Sequence, residues 1–262
     1  MEKHTVSASL TDNTKYMNRA LPVKKSFDII ERTLIIGGQN SAFYFIDGFI
    51  KDEIMLKLMD SFLNISADDM PEDATSFSTS CIPYVEVDIL GDFDSIFKNL
   101  LSGVTCLFID GYEAAIAIDC RTYPSRSIEE PDKDKSLRGS RDGFVETIVF
   151  NTALMRRRIR DPHLIMEMYE AGTSTRTDVA LCYMSDRVDR ELLTTIQNKL
   201  EESKSQDLKM SQQSLAEALF QRKWYNPFPK YKFTERPDTA CACLMEGKVI
   251  ILTDTSPSAL IL

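Results

Sequence analysis

Two stretches of this chain repeat each other, and that correspondence constrains the fold more than any other feature. SAFYFIDGFIKDEIMLKL, starting at Ser41, aligns with DVALCYMSDRVDRELLTTI, starting at Asp178, with Glu53 against Glu191. LLSGVTCLFIDGYEAAIAI, starting at Leu100, aligns with LMEGKVIILTDTSPSALIL, starting at Leu244, with Gly103 against Gly247 and Asp110 against Asp254. A glycine at that place ends a helix at its C′ position, and an aspartate ends a strand at a turn. The pattern implies an α/β fold of two related small subdomains, each a mixed sheet flanked by helices, descended from a duplication. Two generic α/β units can also resemble each other by chance. A single continuous sheet running through both halves excludes duplication.

Apolar periodicity and turn residues divide the chain. Residues 1–25 are polar with weak helical spacing and read as a loosely attached helical tail. Residues 26–120 form the first subdomain. Within them 27–36, 42–46, 84–89, 104–110 and 114–119 read as strands, 51–64 and 93–101 as helices, and the acidic, Ser/Thr-rich 65–80 as an exposed loop. Residues 121–140 are charged and aperiodic, a linker. Residues 141–161 read as a central helix and 162–262 as the second subdomain. Its strands are 177–183, 249–252 and 259–262, its helices 190–201, 211–221 and 239–245, and 224–237 is a loop of prolines and aromatics, Trp224, Tyr225, Phe228, Tyr231 and Phe233.

The central stretch RGSRDGFVETIVFNTALMRRRIRD, Arg138 to Asp161, carries an apolar face of Phe144, Val145, Ile148, Val149, Thr152, Met155 and Ile159. Phe150 and Leu154 fall on roughly the opposite side, so the helix reads as buried between two layers. Arg156, Arg157 and Arg158 are consecutive and fan around it, with Arg156 at the edge of the apolar face. Residues 121–160 hold ten Lys/Arg against six Asp/Glu, a local +4 in a chain of net charge −9. The candidate interface is therefore Arg138, Arg141, Glu146, Arg156, Arg157 and Arg158. Each arginine can instead be a snorkelling or solvated side chain, and head-to-tail contact of a basic face on an acidic one is the alternative.

The acidic balance argues against a nucleic-acid partner. No catalytic set assembles: the two histidines, His4 and His163, stand apart, and Asp47, Asp110, Asp119 and Asp254 sit at strand ends without a base or metal partner in sequence. There is no P-loop or GxGxxG, so neither enzymatic activity nor a cofactor or metal is expected. No apolar run reaches the roughly 20 residues that cross a bilayer, and the N-terminus lacks a signal-peptide core. The six cysteines follow no metal or disulfide spacing and read as free thiols.

SIEEPDKDKSLRGSRDGFVETIVFNTALMRRRIRDPHL, then GTSTRTDVALCYMSDRVD, FTERPD and LMEGKVIILTDTSPSALIL resemble, in that order, A subunits of the GerA spore germinant receptor family. PDKDKSLRGSRDGFVETIVFNT is most similar to the SpoVAF branch, since ordinary germinant-receptor A subunits tend to carry Pro after the Arg-Gly. The resemblance runs from Phe27 to the C-terminus, and family members continue into membrane-spanning helices that this chain stops before. It implies a soluble domain on the cytoplasmic, spore-core side of the spore inner membrane. That domain would serve assembly and signal relay in an oligomeric, ion-channel-like complex that amplifies germination. The implied partners are further copies, through the full-length protein, and other germination membrane proteins, with the membrane reached through a region absent from this chain. Two readings stay open beside it: a small-molecule binding module with its ligand between the lobes, and the A subunit of a nutrient germinant receptor.

Overall fold

Thr105–Ile109, Ala115–Ile118 and Ile250–Thr253 are buried at every position. Strands without a polar face belong in sheets covered on both sides. The computed structural model describes residues 4–84, 86–123, 142–204, 211–219 and 230–262, and in it each half of the chain builds such a layered unit. The first comprises the described residues to Lys24 with Asp28–Tyr123, the second Lys25–Phe27 with the described residues from 142 onward.

The first unit runs α1 (Leu10–Ala20), β1 (Ile29–Ile36), β2 (Gln39–Ile46), α2 (Asp52–Leu63), α3 (Ala74–Ser80), β3 (Val87–Leu90), α4 (Phe93–Leu101), β4 (Thr105–Ile109) and β5 (Ala115–Ile118). Its sheet has the order β1-β2-β4-β5-β3. Helices α1 and α4 cover one face around Tyr44, Cys106 and Phe108, and α2 and α3 the other around Phe43, Leu107 and Ile116. The second unit runs α5 (Ile148–Arg158), β6 (Leu164–Ala171), β7 (Thr177–Met184), α6 (Arg190–Ser203), α7 (Ser211–Leu219), β8 (Lys232–Thr234), α8 (Pro237–Met245), β9 (Ile250–Thr253) and β10 (Ala259–Ile261). Its order, β6-β7-β9-β10-β8, is the same permutation. Helices α5 and α8 pack on Cys182, Ile250 and Leu252, and α6 with α7 on Leu181, Ile251 and Leu260.

The correspondence extends to register. Ser41–Tyr44 pair with Ile109–Cys106, and Val179–Cys182 with Thr253–Ile250. Gly103 and Gly247 each close a helix with the same two bonds: Gly103 N to Leu100 O and Val104 N to Asn99 O at 2.8 and 3.1 Å, Gly247 N to Leu244 O and Lys248 N to Cys243 O at 2.9 and 3.0 Å. Both glycines are left-handed, φ +100° and +89°, which only glycine adopts without strain. Two related α/β subdomains with separate sheets are thus present. Among the described residues every ladder is antiparallel rather than mixed; β1 with β2, β4 with β5, β6 with β7 and β9 with β10 are joined by short turns.

Several elements differ from the sequence reading. Residues 10–20 are no loose tail: Met17 is fully buried in the first unit's core. Within 65–80, expected as a loop, α3 is capped by Asp73, whose Oδ1 accepts the Ser76 amide at 2.8 Å, and Phe77 is fully buried. β6, LIMEMYEA, was not expected, since Leu, Met and Glu favour helix and here strand pairing overrides propensity. α5 occupies only 148–158 of the stretch 141–161. Within 224–237, residues 232–234 are strand β8 and Pro237 opens α8, while Trp224, Tyr225 and Phe228 lie outside the described residues. All six cysteines are free thiols. Among the described residues no helix is long and apolar enough to cross a membrane.

Candidate functional site

The strand-end aspartates, where acids can serve chemistry, are engaged in architecture. Asp110 Oδ1 accepts the Leu10 amide at 2.9 Å, the first residue of α1. Asp254 Oδ1 accepts the Ile148 amide at 3.1 Å, the first residue of α5. Carboxylates at helix N-termini satisfy orphan amides and meet the positive end of the dipole. Asp119 holds Arg121 in an ion pair; that bond keeps its carboxyl below the ordinary range. Asp47 accepts the Gly48 amide at 2.9 Å, and burial pushes its carboxyl up.

A second repeated device straps the chain ahead of each opening helix. Asn13 accepts from the Ser7 amide at 2.9 Å and donates to the Ser7 carbonyl at 2.6 Å. Asn151 does the same to Val145, at 2.8 and 2.6 Å. Thr255 N then donates to Glu146 O, as Gly111 N does to Ala8 O, both at 2.7 Å. This explains the late start of α5: residues 142–147 are held in non-helical backbone, Thr147 makes no side-chain cap, and the first amide of the helix is met by Asp254. The signal in the sequence was an asparagine at the fourth residue of both helices.

The arginine run divides three ways. Arg156 is fully buried, its guanidinium donating to the carbonyls of Asp161 and Leu164 at 3.0 and 2.9 Å. Arg158 is half-buried and pairs with Asp142 at 2.8 Å. Arg157 and Glu146 are exposed, as is Arg160. Arg138 and Arg141 lie outside the described residues. Of the run, Arg157 is the one presented to solvent.

Lys25–Phe27 lies along the outer edge of β6. Phe27 N donates to Met166 O and Met166 N to Ser26 Oγ, each at 3.0 Å. Lys25 Nζ stands 3.3 Å from Glu167 and 5.4 Å from the Tyr183 ring centre. Glu167 also accepts from Tyr183 at 2.6 Å, Tyr169 at 2.7 Å and Gln197 at 2.8 Å. Burial raises the Glu167 carboxyl, yet these partners outweigh it and hold the group below its ordinary value.

One concavity in the first unit, about 510 Å³, lies where α1 meets β1 and β2, with Glu31, Thr33, Asn40 and Asp110 among its lining residues. Among the described residues no three His, Cys, Asp or Glu side chains come together as a metal site.

The sequence model of the Bacillus/Clostridium GerA spore germination protein family matches residues 15–262. The chain is 34% identical, over 99% of its length and 53% of the relative's, to stage V sporulation protein AF of Bacillus subtilis (strain 168). It is 30% identical, over 97% of its length and 49% of the relative's, to the membrane protein YfkQ of the same organism. It therefore spans about half the length of these curated relatives. The N-terminal domain of the A subunit of the Bacillus megaterium spore germinant receptor GerK3 has the same fold, with a TM-score of 0.73, 23% identity, and coverage of 100% of this chain and 97% of that one.

Proposed function

The chain belongs to the Bacillus/Clostridium GerA spore germination protein family, and from that premise we propose that it is the cytoplasm-facing, non-membrane domain of a SpoVAF-like protein of the spore inner membrane. The observation that carries this reading is the 34% identity to stage V sporulation protein AF along 99% of the chain. The domain has no enzymatic role. It serves assembly and signal relay in an oligomeric, ion-channel-like complex that amplifies germination, alongside other germination membrane proteins and with no nucleic-acid partner. Copies stand side by side, with Arg157 set against a neighbour's carboxylate, and the membrane region outside this chain supplies the local concentration that weak contacts need. The exposure of Arg157 at the basic end of α5, in a chain of net charge −9, supports that contact. The test is Arg157→Glu in the full-length protein. Weaker assembly or slower germination, with unchanged melting of this domain, is expected; normal assembly and germination remove the arginine from the interface.

A second reading, binding of a small polar ligand, rests on the concavity of the first unit, whose volume lies in the range of ligand sites. Saturable chemical-shift changes at Thr33 and Asn40 on adding small polar molecules, free alanine among them, support it, and their absence at millimolar ligand removes it.

A further inference from the structure

Helices α2 and α6 hold the same place in the two repeats, and with Glu53 set on Glu191 their burial follows the same course. Leu58 and Phe62 point inward as Ile196 and Leu200 do. Glu53, Leu56, Lys57, Asp60 and Leu63 point outward, as do Glu191, Thr194, Thr195, Asn198 and Glu201. The chemistry of that outer face differs. Leu56 is 69% exposed and Leu63 66% exposed, where α6 carries Thr194 and Glu201. Partly exposed Met59 lies between the leucines, against Gln197. Leu56 and Leu63 stand seven residues apart, two turns along one face. Since the sister helix occupies the same position with polar residues, the fold does not require apolar ones here. Two leucines kept in water at those positions call for a cover.

The charge of α2 and of the segment that follows it identifies the cover. Residues 51–73 hold seven acids, Asp52, Glu53, Asp60, Asp68, Asp69, Glu72 and Asp73, against Lys51 and Lys57. That charge repels anionic lipid and nucleic acid. It complements the exposed Arg157 and Arg160 at the end of α5. Glu53 and Asp60, about 10 Å apart along the helix, are spaced for two guanidinium groups, and arginine stems can lie over apolar side chains while their heads pair.

We propose that the outer face of α2 is the docking surface for a second copy of this chain, whose Arg157 and Arg160 cover Leu56 and Leu63 and pair with Glu53 and Asp60. This rests on the self-association reading above and names the carboxylates that it requires. The experiment uses two differently tagged copies of the full-length protein. Leu56→Thr with Leu63→Glu takes the residues α6 already carries, so the melting temperature stays unchanged while recovery of one tag with the other falls roughly tenfold or more. A photo-crosslinking residue in place of Leu56 joins a peptide of the other copy containing Arg157. Undiminished recovery of the double variant overturns the proposal, as does a crosslink to the same chain, to another part of the second copy or to a different protein. Loss of assembly by Arg157→Glu while the leucine variant assembles normally keeps the self-association reading and removes the α2 face from it. Exchange of charge, Glu53→Arg with Asp60→Arg in one copy and Arg157→Glu with Arg160→Glu in the other, restores recovery if the pairing is right and leaves it low if it is wrong.

Discussion

Asp254 Oδ1 accepts the amide of Ile148 at 3.1 Å across a sequence separation of 106 residues, so the last hairpin of the second unit fixes the start of its first helix. Asp110 does the same for Leu10 across 100 residues. In each unit this bond links the first element of the repeat to the last.

Removing either carboxylate orphans a helix N-terminal amide and takes an anion from the positive end of the dipole. Asp254→Ala and Asp110→Ala should each cost about 1–2 kcal/mol, while Asp→Asn, which keeps an oxygen acceptor, should cost less. Urea unfolding with the slope held constant across variants is the measurement. Equal costs for Ala and Asn would assign the effect to packing rather than to the bond.

Adjacent arginines should behave as opposites. Arg156→Ala leaves the Asp161 and Leu164 carbonyls without these donors and opens a cavity in the core, at a cost of about 3 kcal/mol or more. Arg157→Ala, at an exposed position, should change stability by no more than about 0.5 kcal/mol. Thermal melts of the two variants, side by side, test this.

Glu167 gives the second unit a pH dependence with a definite sign. Burial raises its carboxyl, but the bonds from Tyr183, Tyr169 and Gln197 with the charge of Lys25 bring the folded value below the ordinary 4.5. The unfolded chain therefore binds the proton more readily, so the contribution is fully present above the unfolded value and is lost as pH falls through the folded one. Glu167→Gln should lower stability at neutral pH and flatten the acid limb of a stability–pH curve. A variant with the same acid slope as the unchanged protein would contradict the assignment.

What the sequence disclosed follows from which signals are local. The apolar runs 104–110 and 249–252 and the paired Gly and Asp positions read directly, since helix ends and strand ends impose their own residue types. α3 was hidden because ATSFSTS is rich in side chains that compete for backbone bonds, although Asp73 and Phe77 marked it. β6 was hidden because its Met and Glu residues suit a helix, and only pairing with β7 and the bonds of Ser26 and Phe27 make it a strand. For the interface, helical geometry fans the three arginines and puts Arg156 at the apolar edge. The carbonyls that draw Arg156 inward and the Asp142 carboxylate that holds Arg158 become visible only once the chain is folded.

The shared helix ends should tolerate no side chain. A Cβ on Gly247 would stand 2.7 Å from the Arg187 carbonyl oxygen, and backbone cannot turn aside as a flexible side chain can. With the cost of a left-handed φ added, Gly247→Ala should lose about 2 kcal/mol or more. A Cβ on Gly103 would meet the ring of Phe49 at 2.6 Å, a side chain that can shift at some loss of packing, so Gly103→Ala should cost less than Gly247→Ala. Reversal of that order in paired unfolding curves would mean the loop at Arg187 yields more easily than the core around Phe49.

The thiols should separate by burial. Cys106, Cys120, Cys182 and Cys241 are buried, whereas Cys81 and Cys243 are half-buried. Burial pushes the Cys106 and Cys241 thiols up to about 12, so at neutral pH they hold almost no thiolate, the species that reacts. Brief alkylation of the folded protein without reductant should therefore add at most two labels, at Cys81 and Cys243, and unfolding in the same reagent should bring the count to six. Intact mass after each step, with peptide mapping, reads this directly. A label on Cys106 or Cys241 in the folded protein would show that these cores open on the timescale of the reaction, and a final count below six would show a disulfide where the structure has free thiols.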